Sequence, residues 1–385
     1  SIRDYRRYGV TRIQIGVQHY DDEVLKKVNR QCYTKHTIKA IRLLKQTGLK
    51  VVVHLMPDLP GSSPELDRWM FEMAIHNPDL QFDDVKIYPT AVCRSHSDQY
   101  ILTSKIAEWY DEGSFVPYAE KDIDKLIDVI KYYLINMNPW VRVQRCIRDI
   151  PGCSIEAGYQ KKSNLRQLIQ DDMDRNNEQT FEIRTMEVRE SKYLHYPARL
   201  VVRKYEASGG MEYHISMEAY EDDLISKLYY RLFSIYSSMC YLFSFGEKKY
   251  WSGSKNYVAL FGFLRLRLDS NPGGDIIPEI NNTALIREVH VYGNSLGVGS
   301  DNLSSQHRGY GQYLMKIAEE ITVDNNWNKA SVISGVGTRE YYKNKCGYHL
   351  KGTYMVKNLS DNRFTKVFVN ISILVLLISL VFILI

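Results

Sequence analysis

Residues 9 to 173 alternate short apolar runs with helix-patterned segments, and this alternation constrains the fold more than any other feature. Thr11–Gln18, Lys50–Met56, Asp84–Tyr88 and Val141–Arg145 read as strands. Between them, Asp21–Asn29, Lys35–Gln46, Pro64–Asn77 and Asp122–Met137 read as helices. Gly48 stops the second helix and Pro57 closes the second strand. Strands joined through helices are parallel, so the expected architecture is an α/β sheet or barrel. A few parallel strands on their own would leave an open edge, which favours a sequence that is part of a longer barrel.

After a polar, acidic connector at Asp171–Gln179, the pattern turns from Thr180 onward to α+β. Within it lies Gln306-His307-Arg308-Gly309-Tyr310-Gly311, between a strand-like run, Ile286–Tyr292, and an amphipathic segment, Gln312–Val323. Leu314, Ala318 and Ile321 give that segment its helical period. Two glycines let backbone approach a pyrophosphate, and the helix turns unpaired N–H groups and its positive dipole end toward the anion. The motif alone reads equally as a glycine-bearing turn before a surface helix.

At 385 residues the chain holds two domains, each with its own core. Its 25% charged and 44% hydrophobic residues exclude a disordered chain. The net charge of +5 permits nucleic-acid binding without demanding it. The six cysteines (32, 93, 146, 153, 240 and 346) are scattered, which points to a reducing compartment rather than a disulfide framework. No three of them are spaced to converge on one iron–sulfur cluster.

Several blocks, in order, carry a resemblance. They are Arg12–Gln18 (RIQIGVQ), Val53–Gly61 (VHLMPDLPG), Val85–Thr90 (VKIYPT), Arg145–Pro151 (RCIRDIP), Ser163–Arg166 (SNLR), Ala284–Gly293, Gln306–Gly311 and Val332–Tyr348. Together they resemble the catalytic subunit of Elongator, the radical-SAM and GNAT acetyltransferase family that modifies wobble uridine in tRNA. The resemblance implies the C-terminal part of a partial TIM-like radical-SAM barrel over residues 1–173, a linker over 174–200 and an α+β GNAT domain over 201–358. An aromatic-rich insert at about 224–251 departs from the family's pattern.

The implied activity is C5 carboxymethyl-type modification of the wobble uridine, using acetyl-CoA and S-adenosylmethionine (SAM). For acetyl-CoA the resemblance points to Val289, His290 and Val291 on the strand, to Gln306, His307, Arg308, Gly309, Tyr310 and Gly311, and to Tyr341. Tyr341 or Tyr342 would be the catalytic acid for the leaving thiolate, since a phenol suits that proton transfer. Gly16, Gln18 and Met56 lie at strand ends, where a barrel places its site, and would line the SAM pocket. Arg142, Arg145, Arg148, Lys161, Lys162 and Arg166 would face tRNA phosphates. An iron–sulfur cluster is expected only if a segment upstream of Ser1 supplies its cysteines; otherwise the cluster has been lost. Thr180–Val188 carries no cysteine, so no metal site is expected there. Partners would be tRNA and other Elongator-type subunits.

Val367–Ile385 is a 19-residue apolar run broken only by Asn370, Ser372 and Ser379, and Lys357, Arg363 and Lys366 precede it. Its length suits a membrane span and its basic flank a cytosolic side. The expectation is a single-pass C-terminal anchor with cytosolic catalytic domains. Two other readings stand beside the tRNA enzyme: a membrane-associated protein lysine acetyltransferase, and a degenerate tRNA-binding scaffold.

Overall fold

The computed structural model describes residues 1–94, 104–147, 150, 154–159, 165–188, 196–221, 228, 230–232, 235, 253, 257–292 and 309–359. The chain divides into two compact units. One comprises Arg12–Met186 with Glu206–Gly209; the other comprises Ser1–Thr11, Glu187–Tyr205 and Gly210 onward.

The first unit is built on a four-stranded parallel sheet. Its strands are β1 (Arg12–Gln18), β2 (Lys50–Leu55), β3 (Asp84–Ile87) and, after the short β4 (Ala91–Cys93), β5 (Arg142–Arg145). The order is β1-β2-β3-β5. Val51, Val53 and Leu55 on β2 are fully buried, as a central parallel strand covered on its faces requires. Helices Thr34–Gln46, Pro64–His76 and Ile123–Asn136 connect the strands. Each begins or ends within two residues of its sequence expectation, because period and caps agree. Ser63 caps the second helix by accepting from Leu66 N, with Pro64 at its first position. β4 pairs antiparallel with β6 (Ile155–Gly158) as a separate ribbon.

The segment Asp171–Gln179 differs from its expectation as a connector. It is largely the last turns of the helix Leu165–Arg175, whose Leu165, Ile169 and Met173 are buried. Asp172 and Glu178 both pair with Lys131, so the acidic residues serve as clamps on a neighbouring helix.

The second unit is a seven-stranded mixed sheet. After β7 (Arg199–Ala207), β8 (Gly210–Tyr220), β9 (Tyr257–Leu268) and β10 (Ala284–Val291) come β11 (Lys329–Val332), β12 (His349–Lys351) and β13 (Tyr354–Asn358). The order is β12-β13-β11-β10-β9-β8-β7. Ile215, Leu264 and Ile286 on the sheet pack with Leu314, Ala318 and Ile321 of the helix Tyr310–Asp324. The opposite face carries buried ion pairs, Arg267 with Glu212 and Asp269, and Arg265 with Glu288.

The N-terminal helix Ile2–Arg7 belongs to this unit, latched by buried Arg6. Its guanidinium donates to the carbonyls of Val10 and Thr353, each at 2.6 Å, and of Ser334.

Among the described residues no helix is long and apolar enough to cross a membrane. The run 367–385 lies outside the described residues, as do Arg148, Lys161, Lys162, Gln306, His307, Arg308 and most of the insert at 224–251.

Candidate functional site

In the second unit, β10 pairs in parallel with β11 only over Ala284–Ile286, whereas its pairing with β9 runs on to Val291. The two parallel strands therefore part beyond Ile286, and the sheet opens alongside Val289, His290 and Val291. The helix Tyr310–Asp324 begins at this end. Its N-cap, Gly309, has φ +73° and supplies no side-chain hydrogen bond to the first turn. That left-handed conformation suits glycine, and a Cβ there meets no described atom within 4 Å. A long helix whose first N–H groups take no side-chain cap from the described residues presents donors that suit an anion.

Gly311 is where the parts meet. A Cβ on it would stand 2.8 Å from Tyr341 Oη and 3.7 Å from Val291 Cγ2. The phenol of Tyr341 thus lies over the first helical turn, near the end of β10. Gln312 ties the same turn to the helix Arg339–Cys346 by donating to Lys345 O at 3.2 Å. Burial, and the neighbouring Cys346, push the Tyr341 phenol up to about 12, so it keeps its proton. Tyr342 is different: it is buried, edge-on to Tyr341 at 5.3 Å and to Tyr348 at 6.4 Å. The Tyr341 hydroxyl is thus the group at Gly311, while Tyr342 is part of the unit's buried core. His290 is exposed and lies 4.4 Å from the Tyr292 ring and 6.1 Å from that of Phe263.

In the first unit, Gly16, Gln18 and Met56 gather at the C-terminal ends of β1 and β2. Met56 N donates to Gln18 O at 2.8 Å, and Gln18 has φ +73°. Arg30, which sequence reasoning missed, folds back to donate to Gly16 O. A Cβ on Gly16 would lie 3.0 Å from Arg30 Nη2 and 3.2 Å from Gln18 Nε2, so glycine is what lets these groups close in. Gln18 Oε1 and Arg30 Nε are both buried without a partner. An orphaned acceptor beside an orphaned donor fits the zwitterionic amino-acid end of SAM.

The loops behind this end are fixed by buried Asp67. It accepts from Asp58 N at 2.7 Å, Ser62 Oγ at 2.6 Å and Tyr118 Oη at 2.8 Å, and it faces His19 Nε2 at 3.3 Å. Asp58, at φ +67°, is pushed up to about 7 by burial, against the N–H groups of Ala119 and Tyr118 that it accepts.

On the sheet's far strand, Arg145 is exposed and Arg142 half-buried. Lys86, opposite Arg145, donates to Gln14 Oε1 at 2.8 Å; burial and the charges of Arg145 and Arg12 hold its amine below the usual lysine range. Arg166 is not a freely solvated cation: it pairs with fully buried Glu182 at 3.1 Å.

Four cysteines are described, Cys32, Cys93, Cys146 and Cys346, and among the described residues no group of three ligand-type side chains could hold a metal ion. These residues do not fit a three-thiolate cluster.

Residues 1–71 match the Radical SAM superfamily, and 82–175 the Radical SAM C-terminal domain. The chain is 36% identical over 372 residues to a tRNA uridine(34) acetyltransferase of Methanocaldococcus infernus, covering 93% of this chain and 60% of that protein. It is 34% identical to Elongator complex protein 3 of Homo sapiens, covering 93% and 58%. A solved structure, the archaeal Methanocaldococcus infernus Elp3 with an N-terminal deletion, superposes with a TM-score of 0.73 at 35% identity, covering 93% of this chain and 74% of that one. The chain belongs to the Elp3 family. It spans about 60% of the length of the tRNA uridine(34) acetyltransferases it matches. The matched region takes in the strand ends of the Elp3-type parallel sheet, so Gly16, Gln18, Arg30 and Met56 lie within a radical-SAM-type fold.

Proposed function

We propose that this chain carries the acetyl-CoA-binding and SAM-facing parts of an enzyme that modifies C5 of the tRNA wobble uridine. The observation that carries this reading is the phenol of Tyr341 over Gly311, at an uncapped helix start beside the opening of β10 and β11. The likeness to tRNA uridine(34) acetyltransferases supplies the substrate.

Acetyl-CoA brings an activated acyl carbon and a thiol leaving group. The N–H groups of the first turn of Tyr310–Asp324, with Gln306, His307 and Arg308 before it, bind the pyrophosphate. The backbone of Val289–Val291 aligns the thioester carbonyl where β10 stands clear of β11. Tyr341 holds a proton at Oη, placed to pass to the departing sulfur as water or the acceptor adds to the carbonyl. Tyr342 packs behind it and fixes its angle.

Gln18 and Arg30 hold the amino-acid end of SAM, against backbone that Gly16 leaves uncrowded. SAM supplies radical chemistry when bound to a cluster. Arg142, Arg145, Arg148, Lys161, Lys162 and Arg166 form the tRNA surface, and other Elongator-type subunits are the expected protein partners. The apolar run 367–385 supports a C-terminal membrane anchor, with both units on the cytosolic side.

The test is thioester hydrolysis by the chain with and without tRNA. Hydrolysis that rises when tRNA is added supports the reading. Acetylated peptide formed at a rate indifferent to tRNA overturns it in favour of protein acetyl transfer. For the anchor, membrane retention after alkaline washing that ends when the chain stops at Asn362 is expected; a full chain that washes off removes the anchor.

A further inference from the structure

Glu182 is wholly buried, yet it bonds to three separate elements of the first unit. Its Oε2 accepts from Val143 N on β5 at 2.9 Å and from Arg184 N, at the start of the helix Ile183–Met186, at 2.8 Å. Its Oε1 accepts from Thr185 Oγ1 at 2.8 Å and from Arg166 Nη2, on the helix Leu165–Arg175, at 3.1 Å. Arg184 adds a second tie by donating from its side chain to Gln144 O. Both ties fall on β5 immediately before Arg145. One carboxylate therefore sets the strand that carries Arg142 and Arg145 against the helix that carries Arg166.

The ion pair uses only part of the guanidinium. Arg166 Nη1 is buried and has no partner among the described residues, although an arginine fork normally satisfies its donors. A planar fork held on one side by a buried carboxylate, with part of its edge still open to solvent, is prepared for a second oxyanion. We infer that Glu182 is a positioning residue for the tRNA surface: it orients Arg166, whose side chain stays 36% exposed, so that the open edge of the guanidinium meets a backbone phosphate. This inference rests on the tRNA reading above.

The two carboxylate oxygens have separate duties, and that gives the experiment its resolution. In Glu182→Gln the carboxamide oxygen can still accept from Val143 N and Arg184 N. Its NH2 then takes the place of Oε1, where it can donate to Thr185 Oγ1 but presents a donor to Arg166. The substitution thus keeps the fold's ties and releases the arginine. Tenfold weaker binding of tRNA, roughly, is expected at moderate salt. The slope of log affinity against log salt should flatten by roughly 0.7–0.9, the share of one phosphate contact. Arg166→Met should do the same, and the double variant should be no worse than either single one, since both remove one interaction. Arg166→Lys should also fall short, because an ammonium cannot serve both oxyanions as a fork does. Thermal unfolding of each variant checks that the fold persists.

The outcomes separate. If Arg145→Glu weakens binding while Glu182→Gln and Arg166→Met leave affinity and slope unchanged, the positioning role falls and the tRNA surface stands. If none of the three changes binding, the tRNA surface lies elsewhere and both fall. Tighter binding by Glu182→Gln would mean that the carboxylate masks Arg166, which overturns the inference. Should Glu182→Gln fail to fold, Arg166→Lys decides: full affinity with lysine would show that charge alone suffices.

Discussion

The strand-end site of the parallel unit and the helix-start site of the mixed unit meet their expected ligands in different ways. At the helix start the proposed binding groups are backbone N–H donors, beside Gly309 and Gly311 within a few residues of one another. At the strand ends they are side chains brought together over distance, as when Arg30 returns to Gly16. A site made of backbone is written in its glycines. A site made of side chains depends on the fold to assemble it.

The sharpest way to break this comparison is to place a side chain where the backbone site needs none. Gly311→Glu forces a Cβ within 2.8 Å of Tyr341 Oη and sets a carboxylate at an anion's place. Gly309→Glu adds the same charge at φ +73°, in open space. Both should abolish acetyl-CoA binding by calorimetry while far-UV circular dichroism stays unchanged. Retained binding would mean that the anion sits elsewhere. The next effect divides the tyrosines. Tyr341→Phe should slow thioester turnover by about 10²–10⁴-fold with binding largely kept. Tyr342→Phe should leave turnover close to the parent, because its ring is a packing element. Equal losses in the two would remove Tyr341 from its role.

Smaller effects are expected at the strand ends. Arg30→Met should weaken SAM binding by roughly tenfold or more, as loss of a charge-assisted hydrogen bond does. It should leave acetyl-CoA binding unchanged; a variant that binds SAM normally would show that Arg30 only braces Gly16. The smallest effect is a titration. Because the folded pKa of Tyr341 is raised to about 12 from 10.0, its contribution to stability is complete below pH 10. That contribution is lost as pH rises from 10 toward 12. Tyr354 is raised to about 12 as well, so the late phenolate absorbance should lose one tyrosine's amplitude in Tyr341→Phe and keep the rest.

The strands of the parallel unit could be read from sequence to within a residue because apolar runs, Gly48 and Pro57 punctuate them. The Gly309–Gly311 helix start was equally legible, since its chemistry is local. Neighbouring tyrosines on a helix point about 100° apart, and sequence carries no sign of which one faces the ligand. The sequence assigns Arg166 to tRNA phosphates but gives no sign of its carboxylate partner, because Glu182 comes sixteen residues later on a different element. Arg30 went unnoticed for the same reason, its target being fourteen residues back on β1. Asp171–Gln179 read as a connector because acidic residues suit loops and helix surfaces alike, and only Lys131 on another helix distinguishes them.

The Arg6 latch has a consequence for how the molecule is made. Its guanidinium closes on the carbonyl of Thr353, 347 residues further along the chain. At about 5–20 residues per second, a ribosome needs roughly 17–70 s to synthesise that interval. The residues of the parallel unit, Arg12–Met186 and Glu206–Gly209, have all emerged well before then and can fold while the helix Ile2–Arg7 still waits for its partner. That helix thus leaves the ribosome ahead of the parallel unit and is among the last elements to find its place.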